Sequence, residues 1–373
     1  MRAYLDHASV SPLRPAVLEA LHQVLEIAQA DPGRPYEEAL VIRDLIEQAR
    51  EEVAGLTGAT PRQVVFTSSI AESITTSIAA LGQGGPIIHA RTERSAVEAS
   101  AARYGAFLEL QVDHEGHLDL SHLESLLAEN EGALVCCQVA NHETGVLNDV
   151  GEVVTAARRH GGRVHVDASM ACGHLEMDLG QVDADAVTVS SELIGGPVGS
   201  AAIIVRRGHV LPPLLLGGAQ ERARRSGLEA VLAIVGFGVA AGVLNEPGTV
   251  AAEATTARQQ ISMLETSATE VAGVSAVGDA HEMARAPHLR CFTIEGIEAE
   301  PVLLGLDRRG VSVHSGSACS AESLLPSPVL AAMGLDADRS MRLSVGHSTT
   351  DDDVARFAGA FSQVVEALRS LAS

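Results

Sequence analysis

The chain has 373 residues, a length that favours one large domain with a smaller one beside it. Its formal net charge of −22 at pH 7 and its 2% aromatic content argue against a nucleic-acid partner, which needs basic surface and stacking side chains. All 26 basic residues are arginines, so chemistry that depends on a lysine amine is excluded.

Cysteine usage and the N-terminal sequence predict a cytoplasmic location. The five cysteines form no C-x-x-C pair and no even disulfide framework, which suits a reducing compartment; they are Cys136, Cys137, Cys172, Cys291 and Cys319. The start of the chain lacks the pattern of a signal peptide, and no uninterrupted apolar stretch is long enough to span a membrane. We expect no membrane association.

Helical and strand patterns alternate along the first two thirds of the chain. Helical periodicity covers residues 15–30, 36–58, 70–81, 95–105, 150–160 and 229–244, and strand-like apolar runs cover residues 63–69, 86–90, 106–112, 133–141, 161–169, 185–191 and 201–207. This alternation predicts an α/β fold whose mainly parallel sheet is wrapped by helices. The turn signals at residues 245–250 precede a smaller α+β unit, so we predict a large domain over residues 14–245 and a small domain from residues 1–13 and 246–373.

Polar residues follow the predicted strands of the large domain. Ligands of such folds bind at the carboxyl ends of the strands, which places a candidate site near Asn141, Asp167 and Ser190. Polar residues at strand ends are also typical of solvated loops, so their position alone is weak evidence for a ligand-binding site.

The order of the sequence motifs resembles that of cysteine desulfurases, which are class V aminotransferase-type, fold-type I enzymes dependent on pyridoxal phosphate. The resemblance covers nearly the whole chain and rests on eight motifs: YLDHASVSP, VVFTSSIAES, RTERSAV, NHETGVLNDV, VHVDAS, GGAQERARRSG, SGSACSAESLLPSPVLAAMG and RLSVGHSTTDDDV. It implies that Cys319 corresponds to the nucleophilic cysteine that carries sulfur as a persulfide. It also implies that Arg342 corresponds to the arginine that binds the substrate carboxylate, a task suited to a planar two-pronged donor.

The same resemblance identifies departures at the positions that hold the cofactor. The family lysine that links to pyridoxal phosphate is matched by Leu193 and the preceding histidine by Glu192; the other altered positions are Ala71, Arg94, His142, Met170 and Leu228. Among these cofactor positions, only Asp167 and Ser190 are the residue types that the family has there. Each lost charge-assisted hydrogen bond costs roughly 1.5–3 kcal/mol, so we expect no covalently bound cofactor and no conventional use of pyridoxal phosphate.

Three functions follow as expectations of different kinds. The first is a desulfurase-like protein without pyridoxal-phosphate chemistry, a pseudoenzyme that serves as a sulfur-relay or scaffolding subunit through Cys319. The second is a repurposed lyase or hydrolase that uses His142 as base and Glu192 as its partner. The third, ranked last, is a conventional desulfurase.

The resemblance also implies partners. Family members build their site at a dimer interface, so we expect a homodimer or a heterodimer with a related chain, and a protein that donates or accepts sulfur. No metal is predicted, because the sequence cannot show whether His and carboxylate ligands converge. As an alternative to any ligand, the oppositely charged residues of the altered pocket can form ion pairs with one another.

Overall fold

Seven strands form the central sheet of the large domain, in the order β2-β8-β7-β6-β5-β3-β4. The structure is a computed structural model that describes residues 2–315 and 326–372. The strands are β2 (Val64–Thr67), β3 (Pro86–Ala90), β4 (Ala106–Leu110), β5 (Leu134–Gln138), β6 (Arg163–Asp167), β7 (Ala186–Ser190) and β8 (Ala201–Val205). β8 runs antiparallel to both of its neighbours and the other strands share one direction, so the sheet is mixed but mainly parallel, as expected. Strands β5, β7 and β8 are buried along their whole length, which explains their unbroken apolar runs.

Helices cover both faces of this sheet. They are α1 (Pro15–Ile27), α2 (Glu37–Thr57), α3 (Ile70–Gly82), α4 (Ser95–Tyr104), α5 (Leu120–Glu129), α6 (Val150–Arg159) and α8 (Val231–Asn245). The four-residue segment α7 (Gln220–Ala223) precedes α8 and contains backbone angles that are not those of an α-helix. Helix α8 is apolar around its circumference because α1 and α2 pack against it. Gly238 allows this contact: a Cβ there would lie 2.4 Å from the Cα of Ala49.

The C-terminal part forms a smaller unit with its own apolar core, to which the N-terminal strand β1 (Ala3–Tyr4) contributes. Its antiparallel sheet has the order β12-β13-β10-β9. The elements are α9 (Thr249–Thr269), β9 (Val274–Ala276), β10 (Leu289–Ile294), α10 (Ala299–Arg308), β11 (Val311–Ser312), β12 (His314–Ser315), α11 (Pro328–Ala332), β13 (Ser340–Ser344) and α12 (Asp351–Ala372). The α/β class and the smaller C-terminal unit are confirmed, whereas the boundaries at residues 13–14 and 245–246 stay a prediction.

Among the described residues, no single helix is both long enough and apolar enough to cross a membrane. Helices α8 and α9 meet that test only when taken together, and they are bent by 86° at their junction.

Candidate active site

The candidate site lies at the carboxyl edge of strands β5, β6 and β7. The parallel register pairs Gln138 with Asp167 and Asp167 with Thr188, so the ends of the three strands are level with one another. The side chains that follow each strand therefore converge on one side of the sheet, the side on which ligands bind in folds of this kind.

Arg94, which is partly exposed, and the buried Asp167 form an ion pair in the centre of this edge. Arg94 precedes α4, and its Nε donates to Asp167 Oδ2 at 2.8 Å while Nη2 donates to Ser169 Oγ at 3.1 Å. The second carboxylate oxygen of Asp167 accepts the backbone N–H of Ser169 at 2.9 Å. Both carboxylate oxygens of Asp167 are thus engaged within the chain.

Two further titratable groups lie beside this pair, and burial changes the pKa of each. Glu93 accepts the backbone N–H of Gln138 at 3.0 Å, and desolvation raises its carboxyl pKa well above the usual range. The ring of His142 lies 3.3 Å from the side-chain oxygen of Gln138 and 3.7 Å from a carboxylate oxygen of Glu143. Burial, reinforced by the charges of Arg94 and Arg342, lowers the pKa of His142 well below normal, so its imidazole is neutral.

Arg342 is fully buried on strand β13 and connects the small domain to this edge. Its Nη1 donates to the backbone oxygen of His142 at 2.8 Å, and its Nη2 donates to Asp6 Oδ1 at 2.9 Å and to Ser9 Oγ at 2.7 Å. The guanidinium is therefore held on both sides by groups of the chain itself.

Glu192 and Leu193 lie on the short turn that follows β7. Desolvation raises the carboxyl pKa of Glu192; the nearby charge of Asp167 also raises it, whereas that of Arg94 lowers it. Leu193 is buried, and the turn ends at Gly195, whose φ of 81° is a conformation that favours glycine. The buried hydroxyl of Ser190 lies beside the carboxyl of Glu192, and its hydrogen bond lowers that carboxyl pKa against the larger effect of desolvation.

The remaining predicted positions contribute less to the pocket. Ala71 is exposed in the first turn of α3, Met170 is buried in the apolar core beneath the site, and Leu228 is exposed on a surface loop. Cys319 lies outside the described residues. The structure thus brings together Arg94, His142, Asp167, Glu192 and Arg342, the charged and titratable members of the predicted set.

Three residues of this network carry no role in the sequence-based prediction. Asp6 and Ser9 hold Arg342, and Ser169 holds Arg94. Asp6 and Ser9 belong to the first quoted motif, YLDHASVSP, so the motif pointed to them without revealing their partner. Ser169 is the second residue after the strand that ends at Asp167.

The fit of a pyridoxal-phosphate cofactor can be judged from these side chains. The hydroxyl of Ser190 can donate a hydrogen bond to a phosphate only if it leaves the carboxyl of Glu192. Asp167 already has the guanidinium of Arg94 as its counter-charge, and Leu193 offers no amine. The described residues therefore do not fit a cofactor that is held through a lysine.

One group of potential metal ligands occurs among the described residues, and it lies outside this site. Ligand atoms of Glu115, His117 and Asp279 lie within 4.8 Å of one another. His117 Nε2 is 3.0 Å from Asp279 Oδ2, a contact that an ion pair explains without a metal.

Comparison with known proteins matches residues 3–357 to the family model of class-V aminotransferases. A protein of Archaeoglobus fulgidus named cysteine desulfurase IscS 1 is 33% identical, over 99% of this chain and 98% of that protein. An IscS-like cysteine desulfurase of Mycobacterium tuberculosis is 32% identical, over 94% and 93% of the two chains.

Solved structures of similar fold also match nearly the whole chain. A NifS-like protein from Rickettsia africae superposes with a TM-score of 0.90 at 28% identity, covering 98% of this chain and 100% of that one. SspA in complex with cysteine gives a TM-score of 0.80 at 26% identity, covering 94% and 100%.

These comparisons correct the functional expectation drawn from the altered cofactor positions. The expectation of a relay or scaffolding pseudoenzyme is wrong, as is its alternative of a repurposed lyase or hydrolase, because the full-length relatives are named cysteine desulfurases.

Proposed function

The chain belongs to the class-V aminotransferase family, and from that premise we propose that it is a cysteine desulfurase acting on cysteine or a closely related thiol amino acid. The observation that carries the proposal is its relationship to cysteine desulfurases at 30–34% identity over 99% of its length. The likeness to a structure of SspA in complex with cysteine supports the same substrate class.

The proposed reaction moves one sulfur atom to a thiol of the protein. Cysteine loses its thiol sulfur and becomes alanine, while the thiol of Cys319 becomes a persulfide, so that atoms and electrons balance without a further reactant. Cys319 is assigned this role by its place in the Ser-Gly-Ser-Ala-Cys motif. The four described cysteines are poor candidates because they are buried; burial raises the pKa of Cys172 and of Cys291 to about 12.

Arg342 is proposed to receive the carboxylate of the amino-acid substrate. Its guanidinium is already oriented by the carbonyl of His142 and by Ser9, so little side-chain entropy is lost on binding. A substrate carboxylate would take the place of the Asp6 carboxylate, which lies at hydrogen-bond distance from Nη2.

Pyridoxal phosphate is the cofactor that the family resemblance implies, and when bound it supplies an electron sink for breaking the carbon–sulfur bond. Because this chain contains no lysine, any such cofactor is not held through a lysine imine. Within the chain, Ser190 would have to leave the carboxyl of Glu192 to contact a phosphate, and Arg94 and Asp167 would have to separate before Asp167 could contact another cation.

We further propose that two copies of the chain associate. Val198 and Leu228 are 67% and 64% exposed and line one surface groove together with the chain after α1. Large exposed apolar side chains grouped in this way are typical of protein interfaces. A cytoplasmic location also remains a proposal; it is supported by the four described cysteines, all of which are free thiols, and cell fractionation would test it.

The experiment that tests the activity is a measurement of alanine formed from cysteine, with and without added pyridoxal phosphate. We expect alanine to form in proportion to the protein, and expect the C319S variant to lose turnover. C172S is the matched control, because Cys172 is buried and has a raised thiol pKa. No alanine above the C319S background in either condition would overturn the proposal.

A further inference from the structure

The ion pair between Asp6 and Arg342 uses one oxygen of the carboxylate and one nitrogen of the guanidinium. Arg342 Nη2 donates to Asp6 Oδ1 at 2.9 Å, and the same oxygen accepts the hydroxyl of Ser9 at 2.9 Å. Arg342 Nη1 is engaged elsewhere, by the backbone oxygen of His142 at 2.8 Å. Within the described part of the chain, the two charged groups are therefore joined through Nη2 alone.

The Nε–H of Arg342 is the donor that this arrangement leaves unused. The side chain of Arg342 is 1% exposed, and its Nε has no hydrogen-bond partner among the described residues. Buried N–H groups are nearly always paired in folded proteins, because an unpaired donor has lost its water without compensation. A guanidinium binds a carboxylate best through two parallel hydrogen bonds, and Nε with Nη2 forms one such fork. Asp6 thus occupies half of this fork.

The backbone of Asp6 is held in a position that restricts the reach of its side chain. Asp6 forms a β-bridge with Ser344, and its carbonyl oxygen accepts the N–H groups of Ser9 and Val10 at 3.1 and 3.4 Å. A carboxylate that belongs to a small molecule has no such restriction and can lie across both Nε and Nη2. It then makes one more charge-assisted hydrogen bond to Arg342 than Asp6 makes.

Asp6 is also the more accessible member of the pair. Its side chain is 16% exposed, whereas that of Arg342 is 1% exposed. A ligand that arrives from solvent therefore meets the carboxylate of Asp6 first and reaches the guanidinium by displacing it. The displacement requires only rotation of the Asp6 side chain, since the backbone hydrogen bonds of Asp6 do not involve its carboxylate.

We propose that Asp6 is an internal competitor for the substrate carboxylate and determines how strongly the chain binds its substrate. This inference rests on the proposed function, in which Arg342 receives the carboxylate of cysteine. In the free chain, Asp6 supplies the counter-charge that a buried guanidinium requires. In the complex, the substrate carboxylate takes that place. Molecules without a carboxylate cannot displace Asp6, because they bring no charge to replace it, so the contact also selects for acids.

The test is calorimetric titration of the full chain with sodium propionate, a carboxylate of about the size of alanine, at constant ionic strength. We expect D6N to bind propionate at least about tenfold more tightly than the parent, because the competing hydrogen bond loses its charge. D6E keeps a competing carboxylate and should show a smaller gain than D6N. D307N removes an exposed carboxylate that pairs with Arg2, and as the matched control it should bind propionate as the parent does.

Propionamide has the same shape as propionate but no charge, so D6N should not gain affinity for it. Equal affinity of D6N and the parent for propionate, or an equal gain of D6N for propionamide, would overturn the proposal.

Kinetics with cysteine distinguish this inference from the proposed function. We expect D6N to lower the KM for cysteine by a larger factor than it changes kcat, because Asp6 competes in binding. If no alanine forms but D6N binds propionate more tightly, the competitor role stands and the proposed function falls. If alanine forms while D6N changes neither the KM nor the affinity for propionate, the competitor role falls alone.

A second measurement uses only the parent chain and so does not depend on whether D6N folds. Displacement of the Asp6 carboxylate breaks its hydrogen bond with the hydroxyl of Ser9, which helps to hold the turn of residues 6–10. Saturating propionate should therefore speed the amide hydrogen exchange of this turn, whereas propionamide should not. Unchanged or slower exchange with propionate would contradict the displacement of Asp6.

Discussion

At the scale of single residues, Arg94 determines the electrostatics of the pocket. Its guanidinium neutralises Asp167, whose side chain is 3% exposed and lies next to the buried Glu93 carboxyl. Without this cation, two carboxyl groups would share a region of low dielectric constant. Glu93 responds to that environment by a raised pKa, whereas Asp167 keeps its counter-charge.

Removing the guanidinium should therefore destabilise the fold. We expect R94Q to lower the free energy of unfolding by about 3 kcal/mol or more, because it leaves a buried carboxylate unpaired. R91Q is the control: Arg91 binds Glu98 and Glu109 at the surface, and its loss should cost less than about 1 kcal/mol. Urea unfolding of the two variants measures the difference, and equal losses would contradict the account.

The sequence predicted which charged residues meet in this pocket but not what holds them. Asp167 and Ser190 could be placed because parallel strands end at one edge of the sheet. The partner of Arg342 could not, since Asp6 is 336 positions away and the contact depends on how the two ends of the chain pair. The cavity that His174 and His288 line could not be predicted either, because local sequence patterns carry no information on contacts between distant segments.

At the scale of elements, α7 illustrates a structure that propensity does not predict. Glu221, Arg222 and Ala223 all have left-handed φ values, between 48° and 61°, which are costly for residues with a side chain. A buried ion pair accompanies this conformation: both carboxylate oxygens of Glu221 accept hydrogen bonds from Arg50 of α2 at 2.7 Å. Glu221 also accepts the backbone N–H of Phe66 on β2 at 3.0 Å.

The loss of this pair should release the segment around α7. We expect E221Q to lower the free energy of unfolding by about 3–5 kcal/mol, since Arg50 would be left buried and charged. E47Q removes an exposed partner of the same arginine and should cost about 1 kcal/mol or less. Chemical denaturation gives both values, and hydrogen exchange should show faster exchange near α7 in E221Q alone.

Strand and helix positions were largely predictable because burial imposes periodicity on the sequence. The direction of β8 was not, because a strand buried on both faces has the same apolar pattern whichever way it runs. The antiparallel direction is visible only in its registers with its two neighbours: Ala186 of β7 pairs with Val205, and Val64 of β2 pairs with Ile204.

At the scale of the whole molecule, buried neutral histidines should make stability depend on pH. The pKa of His7 is lowered to about 3, and that of His165 and of His174 to about 4, in each case mainly by desolvation. Below pH 6.5 the unfolded chain binds protons that the folded chain does not, so stability falls as the pH drops from about 6.5 toward about 4. Glu93, Glu192 and Glu229 have raised carboxyl pKa values and act in the opposite direction. They are outnumbered by the histidines, because burial also lowers the pKa of His89, His142, His288 and His347.

We therefore expect the urea midpoint to fall steadily between about pH 7 and about pH 5, each histidine contributing up to about 1.4 kcal/mol per pH unit. H165Q should make the fall of the urea midpoint with pH less steep by the contribution of one histidine. It removes one neutral imidazole, whose ring is hydrogen bonded to Thr188. A midpoint that stays constant over this range would contradict the burial of these rings.

Association of two copies should depend on the exposed apolar groove. We expect the double variant V198D/L228D to shift the protein from dimer to monomer in light scattering, because charges there would be desolvated on association. L371D is the control, since Leu371 is 84% exposed near the other end of the chain. A dimer that persists in V198D/L228D would place the interface elsewhere.

The most direct test of the proposed function is the intact mass of the protein after incubation with cysteine and removal of excess substrate. We predict a mass increase of one sulfur atom that reductant removes and that peptide mapping locates on Cys319. No added sulfur, or sulfur located on another cysteine and retained in C319S, would contradict the account.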